Sequence, residues 1–246
     1  MYLKQTIDAV KAAKKPLFQL SGGCDSLCAL LLLFESGCKD FDVVWVNTGD
    51  ACGETLSLMD NIRSAVGSRF HEITSDSVKV REQYGIPSPI VRSTESNLLF
   101  KISADDAFHI QPQHMCCYHT MMLPMHEFTV GGQYDLVIRG NRGNETMKTP
   151  LKHLENDGAY TVAYPIYDWS KQKVQAFLDE RNMLPSFYEI TKDGVDCTTC
   201  PAYWGNGYQK WLENTDTEKA SRRREQIKEL LIYISGAVEL GLNEID

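Results

Sequence analysis

The stretch Leu17-Phe18-Gln19-Leu20-Ser21-Gly22-Gly23-Cys24-Asp25-Ser26-Leu27 decides how this chain is read. Leu17 to Leu20 has the apolar character of a short buried strand, and the run from Leu27 to Phe34, with Leu30, Leu31 and Leu33, that of a helix packed on a sheet. Between them, two glycines let the backbone turn tightly and let a polyanion approach its N–H groups. The first turn of the helix adds unpaired donors and a positive dipole end. Ser21 and Ser26 contribute hydroxyl donors. Asp25 repels a bare phosphate, so an anion bound here calls for a cation such as Mg²⁺ in between. A plainer role also suits these residues, with Asp25 or Ser26 only capping a helix after a glycine turn.

Outward from this turn, strand and helix patterns alternate. Phe41 to Asn47 reads as a second strand, Gly53 to Val66 as a helix, Phe70 to Thr74 as a third strand and Asp135 to Arg139 as another. Such alternation implies right-handed crossovers and an α/β, doubly wound, mainly parallel sheet with helices on both faces. Ligands of such sheets bind beyond the carboxyl ends of the strands, where Ser21 to Ser26, Asn47 to Asp50 and Arg139 to Arg142 are all expected to meet. Tyr84 to Gln113, with Pro87, Pro89 and Pro112, reads as a long loop or partly helical insertion over that crevice. Ser170 caps an expected helix through Met183, and Thr217 or Asp216 begins another that ends near Gly241. One principal domain, residues 1–215, is expected to carry both nucleotide and cysteine sites, with a helical extension over 216–246.

Four short segments, in order, carry a family resemblance. Ser21-Gly22-Gly23-Cys24-Asp25-Ser26 resembles the pyrophosphate-binding loop of the PP-loop ATP pyrophosphatases, the α-hydrolases of adenine nucleotides. Val46-Asn47-Thr48-Gly49-Asp50 with Glu54-Thr55 resembles the Asp-Thr-Gly and Glu-Thr pattern of the phosphoadenosine phosphosulfate (PAPS) reductase family. Ile138-Arg139-Gly140-Asn141-Arg142-Gly143-Asn144-Glu145 is similar to that family's Gly-x-Arg-x-x-Glu/Asp segment, and Tyr164-Pro165-Ile166-Tyr167-Asp168-Trp169 to its Pro-Ile-x-Asp-Trp segment. The resemblance runs from about Leu17 to Gly207. It implies an adenine nucleotide α-hydrolase-like fold and a nucleotide held by Ser21, Gly22, Gly23, Asp25, Ser26, Asn47, Thr48, Gly49, Asp50 and Gly140. Asp25, Arg139 and Arg142 would serve the reaction.

Cys116-Cys117 followed by Cys197-x-x-Cys200 is similar to the ligand set of the iron-sulfur adenosine phosphosulfate (APS) reductases and of some PP-loop sulfur-insertion enzymes. Cys-x-x-Cys lets two thiolates converge on one centre, and four thiolates suit tetrahedral zinc or a cuboidal cluster. Successive cysteines diverge, which is awkward for one zinc but not for neighbouring irons, so a 4Fe-4S cluster on Cys116, Cys117, Cys197 and Cys200 is expected. The plainer alternative makes Cys116 and Cys117 buried small residues. Cys24, Cys28, Cys38 and Cys52 lack ligand spacing and read as core or reduced surface thiols.

Composition sets the outer bounds. The 246 residues, 43% of them hydrophobic, suffice for a sizeable core, and no apolar stretch approaches the roughly 20 residues that cross a bilayer. Eight cysteines are too sparse for a disulfide scaffold and fit a reducing, cytoplasmic setting, without a secretory signal. A net charge of −8 argues against nucleic-acid adhesion through bulk charge. Arg139 and Arg142 read as a phosphate or sulfate clamp, or as a surface pair around Glu145. Arg222-Arg223-Arg224 reads as the wet side of a helix whose apolar face holds Ile227, Leu230, Leu231 and Ile234. Tyr203, Trp204, Tyr208 and Trp211 suit core packing, a stacked base or a shield for the cluster. His114 and His119 read as neighbours of the cysteines rather than ligands, and Lys14 and Lys15 as solvated.

The resemblance implies two reactions. ATP pyrophosphatases release pyrophosphate as a substrate oxygen attacks the α-phosphorus, with Mg²⁺ and backbone donors carrying the charge. Sulfonucleotide reductases of the family attack the sulfur of APS or PAPS with a cysteine of a Glu-Cys-Gly-Leu-His-like tail, cleared by thioredoxin. This chain shows no cysteine after Cys200. The expected activity is therefore cleavage of ATP to AMP and pyrophosphate, activating an acceptor, a nucleic-acid component or metabolite, for sulfur transfer. Two alternatives stay open: a reductase whose thiol comes from a thioredoxin-like partner or from Cys52, and a non-catalytic nucleotide or redox sensor. A homo-oligomer is compatible with each.

Overall fold

The computed structural model describes residues 1–90, 110–145, 151–156, 158–191, 194, 196–205 and 207–245, apart from the side chains of 237 and 240. Most of the expected insertion, residues 91–109, lies outside them. In chain order the elements are α1 (Tyr2–Ala12), β1 (Pro16–Leu20), α2 (Cys24–Glu35), β2 (Asp42–Asn47), α3 (Gly53–Val66), β3 (Phe70–Thr74), α4 (Ser77–Tyr84), β4 (Ile86–Ser88), β5 (Ile110–Pro112), α5 (Gln113–Cys117), a π-helix (Tyr118–Met122), α6 (Leu123–Gly131), β6 (Leu136–Ile138), β7 (Glu155–Asn156), β8 (Thr161–Ala163), α7 (Lys171–Asp179), α8 (Tyr208–Thr215) and α9 (Thr217–Asn243). They form two compact units that interleave along the chain.

The first unit, Met1–Asn47, Ala51–Ser75 and Leu123–Ser186, is built on a six-stranded sheet of order β3-β2-β1-β6-β8-β7. β1 pairs in parallel with β2 and β6, β2 with β3, and β6 with β8; only the edge pair β7–β8 is antiparallel. A strand buried on both faces cannot alternate apolar with polar, and Leu17, Phe18, Leu20, Val43 and Val44 are accordingly all buried. Each such side chain contributes about 1.5–3 kcal/mol on burial. Met125 and Phe128 of α6 pack with Leu17, Val44 and Tyr134. α2 packs on α1 and α7. Right-handed crossovers explain helices on opposite faces, because the chain steps from β1 through β3 and then returns to the far side of β1. The expected mainly parallel sheet surrounded by helices is what the chain forms.

Boundaries follow local chemistry. The Ser170 hydroxyl accepts from Lys173 N at 3.2 Å and starts α7, which ends at Asp179, short of the expected Met183. Asn182, with φ of 53°, is left-handed and incompatible with continued helix. α2 begins at Cys24 rather than Leu27 and buries Cys24 and Cys28; burial pushes the Cys28 thiol up to about 12, making it an inert core group.

The second unit comprises Thr48–Asp50, Asp76–Met122 and Phe187–Asp246. It contains the short parallel pair β4–β5 and the packed pair α8–α9. Asp76 caps α4 by accepting from Val78 N and Lys79 N, both at 3.0 Å, and Asp216 caps α9 through Lys219 N at 3.0 Å. Tyr208 and Trp211 are buried, with ring centroids 5.3 Å apart, in the core role expected of them. No helix among the described residues is long and apolar enough to cross a membrane.

Candidate functional site: a glycine turn and a cysteine cavity

In the first unit the strand order reverses between β1 and β6, the switch point at which doubly wound sheets leave an open crevice. β1 delivers Ser21 to that point and β6 delivers Arg139. Gly22 turns the chain with φ of +86°, a conformation that side-chain-bearing residues rarely adopt. Gly23 is the N-cap of α2 and has no side chain of its own to cap it, leaving the first turn to present main-chain N–H groups and the positive dipole end. Neither Asp25 nor Ser26 serves as the cap. Ser26 Oγ instead donates to Gly23 O at 3.0 Å and lies 2.9 Å from Ser21 Oγ, and Gly23 N donates to Ser21 Oγ at 3.3 Å, bracing the turn internally.

The Arg139–Glu145 segment closes against this turn. A Cβ on Gly140 would lie 2.5 Å from both N and Cα of Ser26, so only glycine allows this backbone approach. Arg142 Nε donates to Asp25 Oδ1 at 2.8 Å, its Nη1 to Asn144 Oδ1 at 2.9 Å, and its backbone N to Glu145 Oε1 at 2.6 Å. The guanidinium answers the negative charge that sets Asp25 apart in an anion loop. Arg139 Nε donates to Gln19 Oε1 at 2.7 Å, and Gln19 Nε2 donates to Thr129 Oγ1 at 3.1 Å. Gln19, a polar residue inside β1, thus orients Arg139; its only sequence signal was being polar in a buried strand.

The expected third contributor divides. Asn47 stays in the first unit, its Nδ2 donating to Glu72 Oε1 at 2.8 Å. Thr48, Gly49 and Asp50 belong to the second unit. There Asp50 is buried: its Oδ2 accepts from Thr199 N at 2.9 Å, Thr199 Oγ1 at 2.6 Å and Arg81 Nη2 at 3.3 Å, while Asp50 O accepts from Thr198 N at 2.7 Å. Thr48 Oγ1 donates to Asp196 O at 3.2 Å. The Thr48–Asp50 turn therefore holds the Cys197–Cys200 loop.

Cys116, Cys117, Cys197 and Cys200 line one small cavity with Arg81, Gln113, Thr120, Met121, Asp196 and Tyr203; His114 and His119 do not line it. His119 stacks instead on Tyr84, with centroids 4.1 Å apart. No three His, Cys, Asp or Glu side chains among the described residues stand close enough to share one ion. Burial raises all four thiols, Cys117 to about 12 and Cys200 to about 11, while the Arg81 guanidinium pulls each one back. Burial likewise raises the Asp196 carboxyl to about 6. Burial opposes the Arg81 charge too, yet the facing Cys200, Cys197 and Asp50 hold it above the ordinary value.

Arg223 overturns the expectation of a wholly wet Arg222-Arg223-Arg224 run. It is 3% exposed, and its Nε donates to Cys200 O at 3.1 Å, Nη1 to Gln209 Oε1 at 2.8 Å and Nη2 to Tyr203 O at 2.5 Å. Its spacing from Ile227, Leu230 and Ile234 placed it on the apolar face, the signal that the charge run obscured. Arg81, within a helix of no recognisable motif, gave no such signal.

The donor set suits an anionic, thiolate-held centre. Two buried guanidiniums lie at the cysteine segments, Arg81 lining the cavity and Arg223 on the Cys200 carbonyl, and among the described residues the buried Arg81 Nε and Thr198 Oγ1 have no hydrogen-bond partner. A cluster carried on four cysteine thiolates would supply negative charge and acceptors there. Four ligands spread around several metals also fit side chains that do not converge on one ion. The space itself, about 20 Å³, is one water's worth and does not hold a cuboidal cluster as the side chains stand.

The profile of the phosphoadenosine phosphosulfate reductase domain family matches residues 15–202. An uncharacterized protein of Methanocaldococcus jannaschii is 27% identical over 210 residues, covering 82% of this chain; the chain spans only 38% of that protein's length. Among solved structures, a PAPS reductase from Candida auris in a phosphate complex aligns with TM-score 0.49 and 16% identity over 74% of this chain and 80% of its own. An NH3-dependent NAD synthetase from Campylobacter jejuni, in complex with nitrate, aligns with TM-score 0.46 and 11% identity over 94% of each chain.

Proposed function

The chain belongs to the phosphoadenosine phosphosulfate reductase domain family, and we propose that it binds an adenine nucleotide at Ser21–Ser26 and cleaves ATP to AMP and pyrophosphate, activating an acceptor for sulfur transfer. The observation that carries this reading is the glycine-capped first turn of α2, with Gly140 pressed against it and Arg142 paired to Asp25. Main-chain N–H groups take the β and γ phosphates, and Arg139, steadied by Gln19, takes charge developing at the α-phosphorus. Mg²⁺ fits if Asp25 exchanges its guanidinium partner for the metal when ATP arrives; both are cations, and Asp25 is part exposed. When bound, a 4Fe-4S cluster on Cys116, Cys117, Cys197 and Cys200 supplies redox or sulfur-binding capacity. Arg81, which lines the cavity, and Arg223, which holds the Cys200 carbonyl, would balance its charge.

Anaerobically prepared protein with ATP, Mg²⁺ and a panel of acceptors is expected to release pyrophosphate; APS or PAPS turned over to sulfite in its place would move the activity to reduction. For that second reaction Cys52 is badly placed, being 5% exposed with Sγ 3.2 Å from Thr55 Oγ1. A reductase would need its thiol from elsewhere.

A further inference from the structure

A cavity of about 490 Å³ lies in the second unit and shares no residue with the glycine turn. Tyr203, Trp204 and Tyr208 form its aromatic side, Ile227 and Leu231 of α9 its apolar side, and Lys210, Arg224 and Lys228 its rim. We infer that this groove binds a single nucleotide unit, its base on the aromatic side and its phosphate at the cationic rim.

Four features select that occupant. Flat aromatic walls gain about 1–3 kcal/mol from a stacked base, and Trp204 is 38% exposed while Trp204 Nε1, donating to Pro201 O at 2.6 Å, fixes the indole in place. The rim is positive in a chain of net charge −8. Arg224 pairs with Glu213 and Lys228 with Glu225, but these pairs are exposed and weak, and yield readily to a phosphate. Lys210 joins none of the ion pairs of the described residues. The volume lies within the roughly 300–1,000 Å³ of small-ligand pockets, and the chain's overall charge opposes a long polyanion. Finally, Tyr203 lines this groove and the cysteine cavity alike, so one side chain separates an occupant from the thiols. The pocket stands on its own residues and does not depend on the reading of the glycine turn.

The test is calorimetric titration of anaerobic, iron-loaded protein with AMP, GMP, CMP and UMP, and with a six-residue uridine oligonucleotide. At least one mononucleotide is expected to show two sites. Trp204→Ala and the exposed Lys210→Glu should each weaken one site at least tenfold with the melting temperature of Lys210→Glu unchanged, and Gly140→Ala should weaken only the other. One site, lost in Gly140→Ala and untouched by both groove variants, overturns the pocket and leaves the loop reading standing. One site lost only in the groove variants keeps the pocket and removes the loop reading. Binding of the oligonucleotide without any mononucleotide at the groove overturns the single-nucleotide occupant.

Discussion

At the glycine turn the proposed capacity to hold an anion resides in main-chain donors, whereas around the cysteines it resides in side chains, Arg81 above all. The first arrangement needs few particular side chains but a demanding backbone: a positive φ at Gly22 and bare space at Gly140. The second tolerates ordinary backbone but demands matched charge, because a guanidinium taken out of water must meet an anion or many acceptors. The turn therefore stays formed without a ligand, while the cysteine region keeps unspent donors at Arg81 Nε and Thr198 Oγ1.

The contrast breaks first at the thiols. Serine at any one of Cys116, Cys117, Cys197 or Cys200 is expected to abolish the brown colour and the iron and sulfide of an anaerobic preparation, and zinc alone in the parent protein would refute the cluster. Next, Arg81→Met leaves Asp50 charged, buried and short of a partner; urea unfolding should show a loss of about 3–5 kcal/mol, and a change below about 1 kcal/mol would show that the charge balance is not what holds this region. At the turn the effect should fall on affinity instead. Gly140→Ala drives a methyl into the Ser26 backbone, and nucleotide binding should weaken about tenfold or more, about 1.4 kcal/mol, with unfolding changed less than in Arg81→Met. The smallest stability effect belongs to Asp25→Asn. It removes a part-exposed ion pair worth about 1 kcal/mol or less, yet should lower Mg²⁺-dependent pyrophosphate release; full activity would take Asp25 out of the reaction.

Reading the sequence succeeded where a local pattern has a local cause. Gly53–Val66 and Phe70–Thr74 form as expected, since periodicity and strand composition act over neighbouring residues. It fell short where partners lie far apart in the chain. Asp50 read as a nucleotide contact because it closes a family-like segment just beyond a strand end, and its partners prove to be Arg81 and Thr199, residues distant in sequence. Arg223 read as solvated because it sits in a charge run, although it clamps Cys200 and Tyr203. β7, β8 and α8 were not foreseen: the strands have two and three residues, too few for a period to show.

By itself, the sequence determined the strand-turn-helix at Ser21–Ser26, the parallel sheet and the two cysteine pairs, because glycine conformations, apolar runs and ligand spacing are properties of short segments. Only the tertiary structure decided that Gly140 abuts Ser26, that Arg142 answers Asp25, and that four thiols surround a cavity facing a buried guanidinium. Those facts are matters of which distant backbones touch and which charges lose their water, and no stretch of chain encodes either one alone.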